Sequence, residues 1–174
     1  GKHNNWSIGT DTGINLLSPG KTPYENAQFL LFLCAVIKAV DDYQDLLRLS
    51  VATAGNDHRL GANEAPPAVM SKPYQGSCDP LMKLGVDVLP KFNRDTTDRN
   101  RTSPFAFTGN KFEFRMLGSS DSIACANIML NSAVAESLRI YADRLEQVED
   151  FETALHEMIR KTITDHKRII FNGN

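Results

Sequence analysis

Cysteine is scarce in this chain: Cys34, Cys78 and Cys125 are the only three among 174 residues, far apart and without a CxxC spacing. That excludes a disulfide framework and a zinc knuckle, and it makes a reducing cytoplasm the expected compartment. Long apolar runs are missing too. The longest, residues 29–37 (FLLFLCAVI), falls well short of the roughly 20 residues that cross a bilayer, and no signal-like start precedes it, so no membrane partner is expected. Neither sign of charge dominates: 19 Lys and Arg against 21 Asp and Glu leave a formal net charge of -2. A general nucleic-acid binder, which carries a basic excess over a whole face, is thereby excluded. Any cationic site has to be local. No internal repeat or low-complexity tract is visible.

What is present fits one globular domain: 41% hydrophobic and 23% charged residues allow a sizeable core. The chain opens on Gly1 and closes on FNGN directly after Ile169, Ile170 and Phe171, so a piece of a longer protein is expected. Its first twenty residues, rich in Gly, Asn, Ser and Thr, predict a short strand and turns, with His3, Asn5 and Ser7 on one polar face. Thr22, Pro23 and Glu25 spell a helix start with a capping box. Behind them Phe29, Leu30, Leu33, Val36, Ile37 and Val40 recur at helical steps, and Leu46, Leu47 and Leu49 continue as a second helical segment ending at Gly55. Residues 71–93, with Pro73, Pro80 and Pro90, read as a mixed loop without assignable chemistry. Helical periodicity returns over residues 123–145 and 151–166.

The cations concentrate in DRNRTSPFAFTGNKFEFR, residues 98–115. Strand alternation in NKFEFR sends Phe112 and Phe114 to one side and Lys111, Glu113 and Arg115 to the other. Glu113 between two cations is one of two things. It is a solvated ion-pair ladder worth about 0 to 1 kcal/mol, or a carboxylate able to hold a divalent ion beside cations for phosphate oxygens, as phosphoryl transfer requires. Arg99 and Arg101 lie just outside the strand. A second group, GNDHRLGANEAPP, sets Arg59 and Glu64 in a breaker-rich loop where binding groups are common, although a trivial surface pair has the same appearance. In KHNNWS, His3 is either a metal ligand or an ordinary surface histidine. His58, His156 and His166 receive no role, since no HExxH-like pair exists.

Taken in order, HNNWS, GNDHRLGANEAPP and DRNRTSPFAFTGNKFEFR resemble the glutamine synthetase family, with wording closest to its type III members, and the likeness runs through nearly the whole chain. The resemblance implies ATP-dependent ligation of ammonia to glutamate through a γ-glutamyl phosphate, with Mg2+ or Mn2+ and a ring-shaped homo-oligomer. Residues 1–174 would then be a partial catalytic domain, truncated at both ends and inactive alone.

The family's motifs carry roles to individual positions. His3 matches the metal-binding histidine of the HxHxS strand, and Ser7 matches its nucleotide-side serine. Asn5 stands where many members have a second histidine. Arg59 matches the arginine of the KRL turn that grips glutamate, and Glu64 the acid of the EAP flap that helps draw a proton from ammonium. Arg101 matches the second arginine of RNRS, expected on the transferring phosphoryl group. Glu113 matches the metal-binding acid of the ExR strand, and Arg115 its substrate-facing arginine. Lys111 replaces a nucleotide-contacting arginine, keeping the charge and losing the fork.

Two other classes compete with a ligase acting on ammonia: a non-catalytic family member serving as an oligomeric or regulatory scaffold, and a γ-glutamyl amine ligase acting on larger amines. The expected architecture is α+β, a curved antiparallel sheet whose concave face carries the polar odd-numbered residues, backed by helical pairs over residues 22–54 and 123–166.

Overall fold

The computed structural model describes residues 2–56, 70–71 and 104–171. In chain order these form β1 (Lys2–Trp6), α1 (Pro23–Asp42), α2 (Gln44–Leu49), β2 (Met70–Ser71), β3 (Phe105–Phe107), β4 (Phe112–Leu117), α3 (Ala124–Leu145), α4 (Phe151–Asp165) and β5 (Ile170–Phe171). The chain is α+β, as the sequence predicts.

Helix starts follow local chemistry. The Thr22 hydroxyl accepts from the Glu25 backbone N–H at 3.2 Å, and Glu25 Oε2 accepts from the Thr22 and Lys21 N–H groups at 3.0 and 2.7 Å, which completes the capping box of α1. Those backbone donors hold the Glu25 carboxyl below the ordinary carboxylate range. Asp150 caps α4 in the same way, accepting from Thr153 N–H at 3.2 Å. At α3 the N-cap is Ile123 without a side-chain cap, the Ser122 hydroxyl accepts from Ala124 N–H at 3.2 Å, and the helix starts one residue later than its apolar pattern indicates.

The main sheet has strand order β1-β4-β3, antiparallel throughout. Pairing places Asn4, Phe114 and Phe105 in one row and Trp6, Phe112 and Phe107 in the next. Directly opposed residues share a face, so this side of the sheet is a block of rings. Phe105 stacks on Phe112 with centroids 4.6 Å apart, and Phe107 lies 5.1 Å from Phe112 and 5.9 Å from Phe29 on α1. The core lies between this face and the helices, where Val36, Val40, Leu130 and Ile159 are also buried. Burying one such ring is worth about 1.5–3 kcal/mol, more than a surface ion pair supplies. The rings hold the sheet, and the charges on its other face are left for other work.

Between Lys2 and Asn4 the register to β4 shifts, because Leu117 pairs with Lys2 while Phe114 pairs with Asn4. The additional residue is on β4. This bulge lets Leu117 turn inward to full burial although Glu113 and Arg115, four and two positions earlier, face the other way. Asn56, 1% exposed, donates from Nδ2 to the Val51 and Met116 carbonyls at 2.9 and 2.7 Å and so ties the turn after α2 to the end of β4.

One feature departs from the all-antiparallel expectation. Met70 and Ser71 pair in parallel with Ile170 and Phe171, so residue 71 belongs to a strand rather than to the loop expected over residues 71–93, the rest of which lies outside the described residues. Parallel partners are far apart in sequence and leave no hairpin signal between them.

Candidate active site

The polar side of the sheet is built by the same alternation that buries the rings. Asn5, Glu113 and Ala106 oppose one another in one row across the three strands. His3 joins them: its Nδ1 lies 2.7 Å from Glu113 Oε1. The other carboxylate oxygen, Oε2, accepts from Arg115 Nε at 2.8 Å and from Nη2 at 2.6 Å. The two oxygens of Glu113 therefore have different neighbours, an imidazole and a guanidinium.

Exposure differs sharply within the cluster. The side chains of Glu113 and Arg115 are 17% and 14% exposed, while His3 is 52% exposed. Burial of Glu113 works to raise its pKa. The hydrogen bond and charge of Arg115, followed by those of His3, outweigh it and hold the carboxyl below its ordinary value. Glu113 is thus an anion at neutral pH with a guanidinium on one oxygen and a half-exposed imidazole on the other.

The donor set suits a divalent ion shared with a substrate better than a caged one. Among the described residues no group of three or more His, Cys, Asp and Glu side chains is placed to hold a metal. One carboxylate and one imidazole, on a face with solvent access, leave coordination positions for water and phosphate oxygens, which is how Mg2+ is usually held at phosphoryl-transfer sites. His3 and Glu113 are the residues that would hold it.

The sequence places other residues here too. Carried one step past both strands, the β1–β4 register sets exposed Ser7 level with exposed Lys111. The Lys111 carbonyl accepts from Thr108 N–H at 2.8 Å and from the Thr108 hydroxyl at 3.2 Å, closing the β3–β4 hairpin. Arg59, Glu64 and Arg101 lie outside the described residues.

Two contacts were not anticipated from sequence. On the back of β1, Asn4 donates to Asn127 and Trp6 to Asn131, both acceptors being on α3. The available signal was Asn4 itself, a polar residue on the ring-bearing face, where a buried amide requires a partner. His166, given no role, lies 2.7 Å from buried Asp41.

The chain is thus an α+β fold that sets a carboxylate between an imidazole and a guanidinium on the polar face of a sheet. Comparison with known proteins is more specific. No protein-family model matches the chain. It is, however, 50% identical over its whole length to a type-3 glutamine synthetase of Dictyostelium discoideum, and 46% and 43% identical to glutamine synthetases of Butyrivibrio fibrisolvens and Bacteroides fragilis (strain YCH46). The chain belongs to the glutamine synthetase family, as its three motifs indicate. It spans 26%, 27% and 27% of those relatives, about a quarter of each.

Proposed function

We propose that this chain forms part of the catalytic domain of an ATP-dependent glutamate–ammonia ligase whose substrates are ATP, L-glutamate and ammonia and whose cofactor is Mg2+ or Mn2+. The observation that carries the reading is the contact of Glu113 with His3 on one oxygen and Arg115 on the other, in a chain whose relatives bear the name glutamine synthetase. A cytoplasmic ring of identical subunits belongs to the same reading.

A carboxylate is a poor electrophile until one of its oxygens becomes a good leaving group. In the proposed reaction the γ-carboxylate of glutamate attacks the γ-phosphorus of ATP and releases ADP. Ammonia then attacks the acyl carbon and expels phosphate. A divalent ion bound by His3 and Glu113 would offset charge on the phosphate oxygens. Arg115 holds Glu113 in place through its fork and adds fixed positive charge facing the substrate, a role lysine copies poorly. Ser7 and Lys111 are assigned to the nucleotide. Arg101 is assigned to the transferring phosphoryl group, Arg59 to the glutamate, and Glu64 to taking the proton from ammonium. The remaining groups of the site come from the rest of the protein.

The test is an assay of the full-length protein with ATP, Mg2+, glutamate and ammonia, following phosphate and glutamine together. Equal yields are expected, with kcat lowered about 100-fold or more by Glu113→Gln, the scale seen when one fixed group that stabilises transition-state charge is lost. Absence of both products would defeat the reading. Turnover with larger amines and none with ammonia would assign a γ-glutamyl amine ligase in its place.

A further inference from the structure

The strand that carries His3 is held from behind. Among the described residues the five-residue β1 pairs with β4, and its register to that neighbour is irregular where His3 sits. A slip of one residue would move every side chain of the strand to the opposite face. Asn4, 6% exposed, donates from Nδ2 to Asn127 Oδ1 at 2.6 Å, and Trp6 Nε1 donates to Asn131 Oδ1 at 2.8 Å. The two acceptors are four residues apart on α3, about 6 Å along the axis. The two donors are two residues apart on a strand, about 6.7 Å. These spacings match in one register only, since a slip by one residue would carry Asn4 and Trp6 to the other side of the sheet.

We propose that Asn127 and Asn131 are positioning residues: they set the register of β1 and thereby place His3 against Glu113 for ion binding. The idea rests on the site reading given above. Alternation makes the connection, because fastening the even-numbered side chains to α3 determines how His3 and Asn5 are presented on the opposite face. Apolar contacts alone would tolerate sliding. Directional hydrogen bonds to the two side-chain amide oxygens do not.

The experiment compares the full-length protein with the Asn127→Leu/Asn131→Leu pair, which removes both acceptors at similar volume, and with Asn127→Gln/Asn131→Gln, which retains uncharged acceptors. Hydrogen exchange at the β1 amides and Mn2+ binding by electron paramagnetic resonance are the readouts. The leucine pair is expected to speed exchange about 10-fold at β1, with α1 and α4 unchanged, since local opening is distinct from global unfolding. It is also expected to weaken Mn2+ binding about 10-fold, as loss of the groups that orient metal ligands does elsewhere. The glutamine pair should restore both. Unchanged exchange at β1, or acceleration shared by α1 and α4, would overturn the proposal, as would leucine variants that bind Mn2+ as tightly as the parent. If Mn2+ binding by the parent is indifferent to His3→Ala and Glu113→Gln, the ion reading fails, and acceleration confined to β1 still supports the register role.

Discussion

Asp41, near the end of α1, and Arg168, beyond the end of α4, are joined by a forked ion pair: Arg168 Nε and Nη2 both lie 2.9 Å from Asp41 Oδ1. His166 Nδ1 approaches the other oxygen at 2.7 Å. The carboxylate is almost fully buried, while the Arg168 side chain is 69% exposed, so the two ends of the pair are not equivalent. Removing the two partners strands a buried charge; neutralising the acid releases the Arg168 cation to water.

Asymmetry of that kind predicts an order of stabilities. His166→Ala/Arg168→Ala is expected to cost about 3–5 kcal/mol, the penalty for an uncompensated buried charge. Asp41→Asn should cost less, about 1–3 kcal/mol. Urea unfolding of the three proteins measures both, and an inverted order would contradict the burial argument.

Cys34 and Cys125 differ in environment, one buried and the other exposed. Burial pushes the Cys34 thiol up from 9.0 to about 12. Thiol reagents at pH 8 should therefore modify Cys125 readily and leave Cys34 intact until the chain unfolds. The linkage has a definite sign. Between about pH 9 and pH 12 the folded chain keeps a proton that the unfolded chain releases, so stability falls as pH rises through that window. Cys34→Ala should flatten this part of the stability curve, as denaturation midpoints across the alkaline range would show.

Within α3, Ser137 is fully buried and its hydroxyl has no hydrogen-bond partner among the described residues. Replacing it with alanine removes a desolvated, unpaired polar atom and improves helix propensity. Ser137→Ala is expected to stabilise the protein by about 1 kcal/mol, readable as a higher thermal midpoint. A loss of stability would mean that the hydroxyl has a partner.

Gly20 precedes the α1 capping box, and a Cβ there would lie 2.0 Å from Glu25 Cβ and 2.5 Å from Glu25 Oε2. Glu25 Cβ is anchored to the first helical turn and cannot move aside cheaply. Gly20→Ala should therefore break the cap and cost about as much as Thr22→Ala, roughly 1 kcal/mol. Combining the two changes should add little further, because both remove the same interaction.

Much of this was legible beforehand where the cause is local. Thr22 and Glu25 mark a helix start because the groups that satisfy the first backbone donors lie three residues apart. Phe112 and Phe114 alternate with Glu113 and Arg115 because a strand has a period of two. Leu117 breaks that rule, since a bulge set by pairing with β1 carries it inward. The helical segments of residues 123–145 and 151–166 were visible in their periodicity, but the role of His166 was not, because its partner Asp41 lies 125 positions away. The motifs containing Arg59, Glu64 and Arg101 pointed to the family, and those three residues lie outside the described part of the structure.

The amino-acid order by itself determined where helices begin, which side of each strand is apolar, and which family the chain belongs to, because capping, alternation and motif spacing act over a few residues. Tertiary structure alone decided that His3 meets Glu113, that α3 grips β1 from behind, and that Met70 runs beside Ile170. Those contacts join segments roughly a hundred positions apart, and only the packing of a shared core selects such partners from the many a flexible chain could bring together.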